Sequence, residues 1–108
     1  MRSFIHIEDV ADATYRVAVE GVPGETYHIS TQEIVSIRGL VEQICELTGV
    51  AFTDLVEVTE ERLGKDQAYL LDSEKIRSEL GWQDEIGLSE GLRKTLDWVV
   101  MLVLVKTL

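Results

Sequence analysis

The chain is poor in the residues from which catalytic and metal sites are usually built. Of 108 residues, one is cysteine, one is proline and two are histidine. Cys45 therefore has no partner for an internal disulfide, and between Ile44 and Leu47 it reads as a buried helix residue rather than a reactive thiol. His6 and His28 stand far apart with no second cysteine to join them, so no metal site is supported and each reads as structural. No G-x-G-x-x-G or G-x-x-G-x-x-G turn is present to bring backbone amides against a pyrophosphate. No tyrosine stands four residues ahead of a lysine, the spacing at which an ammonium on one helix face lowers a phenol pKa: Tyr15, Tyr27 and Tyr69 are followed there by Val19, Thr31 and Ser73. No residue is assigned a catalytic role.

Basic residues are scarce too. Ten Lys and Arg against twenty Asp and Glu give a formal charge of -10, which repels nucleic acid and anionic membranes. The same field opposes a nucleoside diphosphate unless bases cluster locally, and Arg2, Arg62 and Lys65 are the candidates for such a cluster. Long apolar runs are absent: Trp98–Val105 is uniformly apolar but far short of the roughly 20 residues that a membrane helix needs. It reads as a core-packed helix end, with a contact to another chain or a terminus that is not the natural one as alternatives. Met1 is not followed by a basic and then apolar leader, which points to a cytoplasmic protein.

What is present is an ordinary globular composition, 45% hydrophobic and 28% charged, in a length that holds one small domain. Residues 3–7 alternate with β-branched content and predict a short strand. Asp9 is expected to cap a helix carrying Val10, Ala13, Val17 and Ala18 to a stop near Gly21. Thr26–Ile29 predicts a second strand. Ser36 is placed to cap a helix with its apolar stripe at Ile37, Leu40, Val41, Ile44 and Leu47, stopped by Gly49. A strand at 55–59, a loop about Gly64, an extended piece at 68–71 and a helix from Asp72 to Gly81 follow. Gly87 is expected to cap the last helix, with Glu90 reaching back to the cap amide and Leu88, Leu92, Leu96 and Val99 on one face.

Binding is the function that these residues can support. Arg62 in a loop beside Gly64 has the guanidinium fork that matches two phosphate oxygens, and glycine lets backbone approach a diphosphate closely. Asp66 is an acceptor suited to ribose hydroxyls. The competing reading of the same stretch is a solvated charged loop.

The motifs taken together resemble a known family. Arg2-Ser3-Phe4 with Asp9, Gly24-Glu25-Thr26-Tyr27, Arg62 to Asp66, Tyr69-Leu70-Leu71-Asp72, Lys75-Ile76, Glu79-Leu80-Gly81-Trp82, Glu90-Gly91-Leu92 and Trp98 follow in the order and spacing of the NAD-dependent nucleotide-sugar epimerases and dehydratases. These are extended short-chain dehydrogenases, and the likeness is to the carboxyl-terminal third of the dTDP-glucose 4,6-dehydratases in particular. The resemblance departs at Leu63, Lys65, Gln67 and His28, where that family usually has proline, histidine, arginine and asparagine.

The resemblance implies a mixed α/β fold, the substrate-binding lobe of a Rossmann-type enzyme without its main dinucleotide-binding sheet, over residues 1–99, followed by an apolar tail at 100–108 that has no family match. It implies that Arg2 and Arg62 contact the phosphates or ribose of a nucleoside diphosphate sugar, that Asp66 lies at the nucleotide and that Ser36 lies near the nucleoside. Asp72, Leu80, Gly81 and Trp82 are implied as structural. NAD belongs to the complete parent enzyme, with no cofactor expected in this chain. The expected function is the substrate-binding portion of a nucleotide-sugar 4,6-dehydratase or epimerase, inactive by itself. The alternative is a non-catalytic module that pairs with a Rossmann chain or with itself.

Overall fold

A computed structural model describes residues 1–55 and 70–107. Helices α1 (Ile7–Glu20), α2 (Ile37–Thr48), α3 (Phe52–Leu55), α4 (Glu74–Leu80) and α5 (Leu88–Thr107) follow in order. The expected mixed α/β class is overturned. Among the described residues the β pairing is one isolated antiparallel bridge between Arg2 and Val35, and no sheet forms.

The physical reason lies in what the two supposed strands do with their apolar residues. Ile5, Tyr27 and Ile29 pack against the core, so the alternation is a packing pattern rather than a ladder. Side chains hold the backbone instead. Ser3 Oγ donates to the Thr31 carbonyl at 3.0 Å and accepts the Thr31 N–H at 3.1 Å, while the Tyr27 hydroxyl accepts the Val22 N–H at 3.0 Å. Of the strand expected at 55–59, Leu55 closes α3 and the rest lies outside the described residues, as does the loop about Gly64.

Helix limits follow the capping chemistry more closely. Ser36 Oγ accepts the Gly39 N–H at 2.9 Å to open α2, and Gly49 closes it in the left-handed region at φ 73°. Gly81 closes α4 in the same way at φ 65°. The Asp72 carboxylate takes the Glu74 N–H at 2.9 Å, although Ser73 occupies the cap position. Asp9 does not cap α1: His6 Nδ1 accepts the Glu8 N–H at 3.1 Å, and Asp9 lies inside the first turn. For α5 the acceptor comes from a distance, with Glu33 Oε2 taking the Leu88 N–H at 2.8 Å.

The core forms where α1 meets α4. Ala13, Ile76 and Trp82 are fully buried, with Leu80 nearly so. Ala13 presents only a methyl group at this contact. Arg77 stacks its guanidinium 4.8 Å from the Trp82 ring, adding a cation–π contact to the indole's apolar burial. Cys45 is buried on α2, as expected.

The core-packed reading of Trp98–Val105 fails. All eight residues lie on α5 and are exposed, from 37% at Leu102 to 60% at Leu104 and Val105. Among the described residues no helix is long and apolar enough to cross a membrane.

Candidate functional site

The Arg2–Val35 bridge joins two stretches of chain that sequence alone leaves unconnected. Arg2 N–H donates to the Val35 carbonyl at 2.9 Å and Val35 N–H to the Arg2 carbonyl at 3.0 Å. Ser36 follows Val35 directly, so the backbones of Arg2 and Ser36, two of the four expected binding residues, come together. The Ser36 hydroxyl is engaged as the α2 cap. Arg62 and Asp66 lie outside the described residues, as does Lys65.

Beside the bridge lies a groove of about 230 Å³, with Ser3, Ser30, Gln32, Ile34, Asp72 and Arg77 among its lining residues. Ile34, Leu70 and Leu71 give it an apolar share, and its polar residues Ser30, Ser73 and Arg77 are hydrogen-bonded to one another and to Asp84 behind them. Arg77 Nη2 donates to Asp84 Oδ1 at 2.7 Å and to the Ser30 carbonyl at 2.9 Å, and Arg77 Nε donates to Ser73 Oγ at 2.9 Å. The Thr31 hydroxyl donates to Asp84 Oδ2 at 2.7 Å. Burial alone would raise the Asp84 carboxyl, but the Arg77 and Thr31 hydrogen bonds outweigh it and hold the group below its ordinary range. Asp84 is therefore an acceptor rather than an acid at neutral pH. None of these buried or half-buried residues was singled out by the sequence, because Thr31 and Asp84 stand 53 positions apart and no local pattern marks such a pair.

A second cluster brings a tyrosine and a lysine together in space. Lys75 Nζ lies 4.8 Å from the centre of the Tyr27 ring and 2.7 Å from Glu25 Oε2. The ammonium faces the ring rather than the hydroxyl, which accepts the Val22 N–H instead. The hydrogen bond to Glu25 raises the Lys75 pKa, so the amine keeps its proton. This arrangement is a surface clamp, not an acid/base pair.

The fit to a dinucleotide can be judged at the helix starts. A pyrophosphate in a Rossmann-type site takes the open amides of a helix that follows a strand. Here α1, α2, α4 and α5 each have a side-chain acceptor on a first-turn amide, from His6, Ser36, Asp72 and Glu33. No strand leads into any of them among the described residues. Nor do three of His, Cys, Asp and Glu converge among them as metal ligands.

Comparison with known proteins gives this arrangement its context. The family model described as GDP-mannose 4,6 dehydratase matches residues 1–95. The dTDP-glucose 4,6-dehydratase of Neisseria gonorrhoeae is 38% identical over 108 residues, covering 91% of this chain and 31% of that enzyme. A solved dTDP-glucose 4,6-dehydratase from Bacillus anthracis, in complex with NAD, superposes with a TM-score of 0.82 at 29% identity, covering 92% of this chain and 31% of that one. The Bordetella bronchiseptica enzyme WbmF, in complex with NAD+ and UDP, gives a TM-score of 0.76 at 33% identity, with 96% and 30% covered. The chain thus spans less than a third of the length of these relatives.

Proposed function

The chain belongs to the GDP-mannose 4,6 dehydratase family, and from that premise we propose that it is the nucleotide-sugar-binding portion of an NAD-dependent 4,6-dehydratase or epimerase, without turnover of its own. The family match over residues 1–95 is the observation that supports this reading. Arg2 and Arg62 would meet the diphosphate, Asp66 the ribose, and Ser36 the neighbourhood of the nucleoside. The groove beside the Arg2–Val35 bridge, which Ser3 lines but Arg2 and Ser36 do not, would be the space that this reading uses. Substrate carboxylates and phosphates are not sought by a chain of charge -10 in general, so the local bases must supply the attraction. The role includes no step on NAD, and a cytoplasmic location belongs to the same proposal.

Isothermal titration of the chain with dTDP-glucose and UDP-glucose, with NAD as control, tests the reading. Binding of a sugar nucleotide that weakens at least tenfold in both Arg2→Ala and Arg62→Ala is expected. Equal binding by the variants removes the two arginines from the role, and no binding by a folded chain removes the role itself.

A second reading has its own observation. The exposed apolar end of α5, Trp98–Val105, favours an interaction module that pairs with a Rossmann chain or with itself. Light scattering of the chain with and without residues 100–108 tests the self-pairing form, which a monomer in both cases would exclude.

A further inference from the structure

We infer that Thr31, held by Asp84, positions Arg2 for a nucleoside diphosphate; the inference rests on the binding role proposed for Arg2. Thr31 is a hub. It is 8% exposed, its hydroxyl donates to Asp84 Oδ2 at 2.7 Å, and the same oxygen accepts the Glu33 N–H at 3.3 Å. Its backbone N–H and carbonyl are both bound to Ser3 Oγ, at 3.1 and 3.0 Å. Ser3 is the neighbour of Arg2, and Arg2 is bound in both directions to Val35. The first residues of the chain are thus fastened to the 31–35 stretch at two places, one on each side of the Arg2–Ser3 peptide.

The fastening has a fixed reference. Asp84 is held by Arg77, and Arg77 is itself held by Ser30, Ser73 and the face of Trp82, which is fully buried. A continuous set of contacts therefore runs from the core through Arg77, Asp84, Thr31 and Ser3 to the backbone of Arg2. Ser30 Oγ also donates to the Leu71 carbonyl at 2.9 Å.

Stability alone does not call for such a device. A buried ion pair is often matched or exceeded by apolar side chains of similar volume, whereas a fully satisfied polar network defines a single geometry. The network at Thr31 is fully satisfied: no buried side-chain nitrogen or oxygen lacks a partner among the described residues.

Thr31→Val keeps the shape and removes the hydroxyl, and Thr31→Ser restores it. In the full chain, amide hydrogen exchange at Arg2 and Val35 should rise by about tenfold in Thr31→Val while amides of α2 keep their rates. Affinity for UDP and dTDP should fall about fivefold, and both effects should revert in Thr31→Ser. In an Arg2→Ala background, Thr31→Val should cost no further affinity, because the effect acts through Arg2. Unchanged exchange at Arg2 and Val35, or an affinity loss that is the same in both backgrounds, overturns the inference. If the parent chain binds neither nucleotide, the proposed function falls, and the exchange rates alone decide whether Thr31 fixes Arg2. Should Thr31→Val fail to fold, Ser3→Ala breaks the same link at its far end and carries the same expectations.

Discussion

The carbonyl of Asp9 accepts the indole N–H of Trp82 at 3.2 Å, and the carboxylate of the same residue accepts the backbone N–H groups of Glu85 and Ile86 at 3.0 Å each. One residue in the first turn of α1 thereby holds the core tryptophan and the turn that starts α5.

Asp9→Ala leaves two amides of that turn without their charged acceptor, and is expected to cost about 3 kcal/mol. Asp9→Asn keeps one oxygen acceptor and should cost roughly half as much. Urea denaturation followed by circular dichroism measures both. A loss below about 1 kcal/mol in Asp9→Ala would mean that water substitutes for the carboxylate.

The Asp84 carboxyl is held below its ordinary 3.8 by the Arg77 and Thr31 hydrogen bonds, which overcome the opposing effect of burial. A lowered folded-state pKa makes its contribution complete above 3.8 and progressively lost as pH falls through the folded value. Acid titration should therefore destabilise the chain below about pH 4, and Asp84→Asn should flatten that limb while costing about 2 kcal/mol at neutral pH. An unchanged acid limb in Asp84→Asn would assign the transition to other carboxylates.

Core and tail should respond in opposite ways. Ile76 is fully buried, and Ile76→Ala should cost about 3 kcal/mol. Leu104 is 60% exposed, and Leu104→Ser should change the stability of the fold by less than about 0.5 kcal/mol. Thermal melts of the two variants check this, and a large cost at Leu104 would show that the end of α5 is covered in solution.

Legibility from sequence followed the range of the interaction concerned. Ser36, Gly49 and Gly81 act on their own helices within four residues, so a local reading found them. The expectation of strands at 3–7 and 26–29 fails because a strand is defined by its partner. Ile5 and Ile29 are partly buried and pack against the core residues of α1 and α4, whereas Ile7 is exposed, so no strand face forms. Asp9 was read as a cap for the same reason: a helix start followed by an acid fits that role, and its real partners at 82, 85 and 86 are beyond any window. For the candidate site, Arg2 follows from the need for a local cluster of bases and the binding role of Ser36 from the family resemblance, and the bridge brings their backbones together. The Thr31–Asp84–Arg77 network that underlies them joins residues from three separate stretches and leaves no motif. The residues at 62 and 66 lie outside what the structure describes.

The 84–88 turn is gripped by Arg77 and Thr31 at Asp84, by Asp9 at Glu85 and Ile86, and by Glu33 at Leu88. The 20 residues of α5 leave that turn as a rod of about 30 Å. Gly91 is buried and Lys94 Nζ pairs with Glu8 Oε2 at 3.2 Å, so the first two turns of α5 are held against the body and the rest is a lever of about 20 Å. A rotation of about 5° there becomes a displacement of about 2 Å at the far end, which a spin label near Thr107 would report.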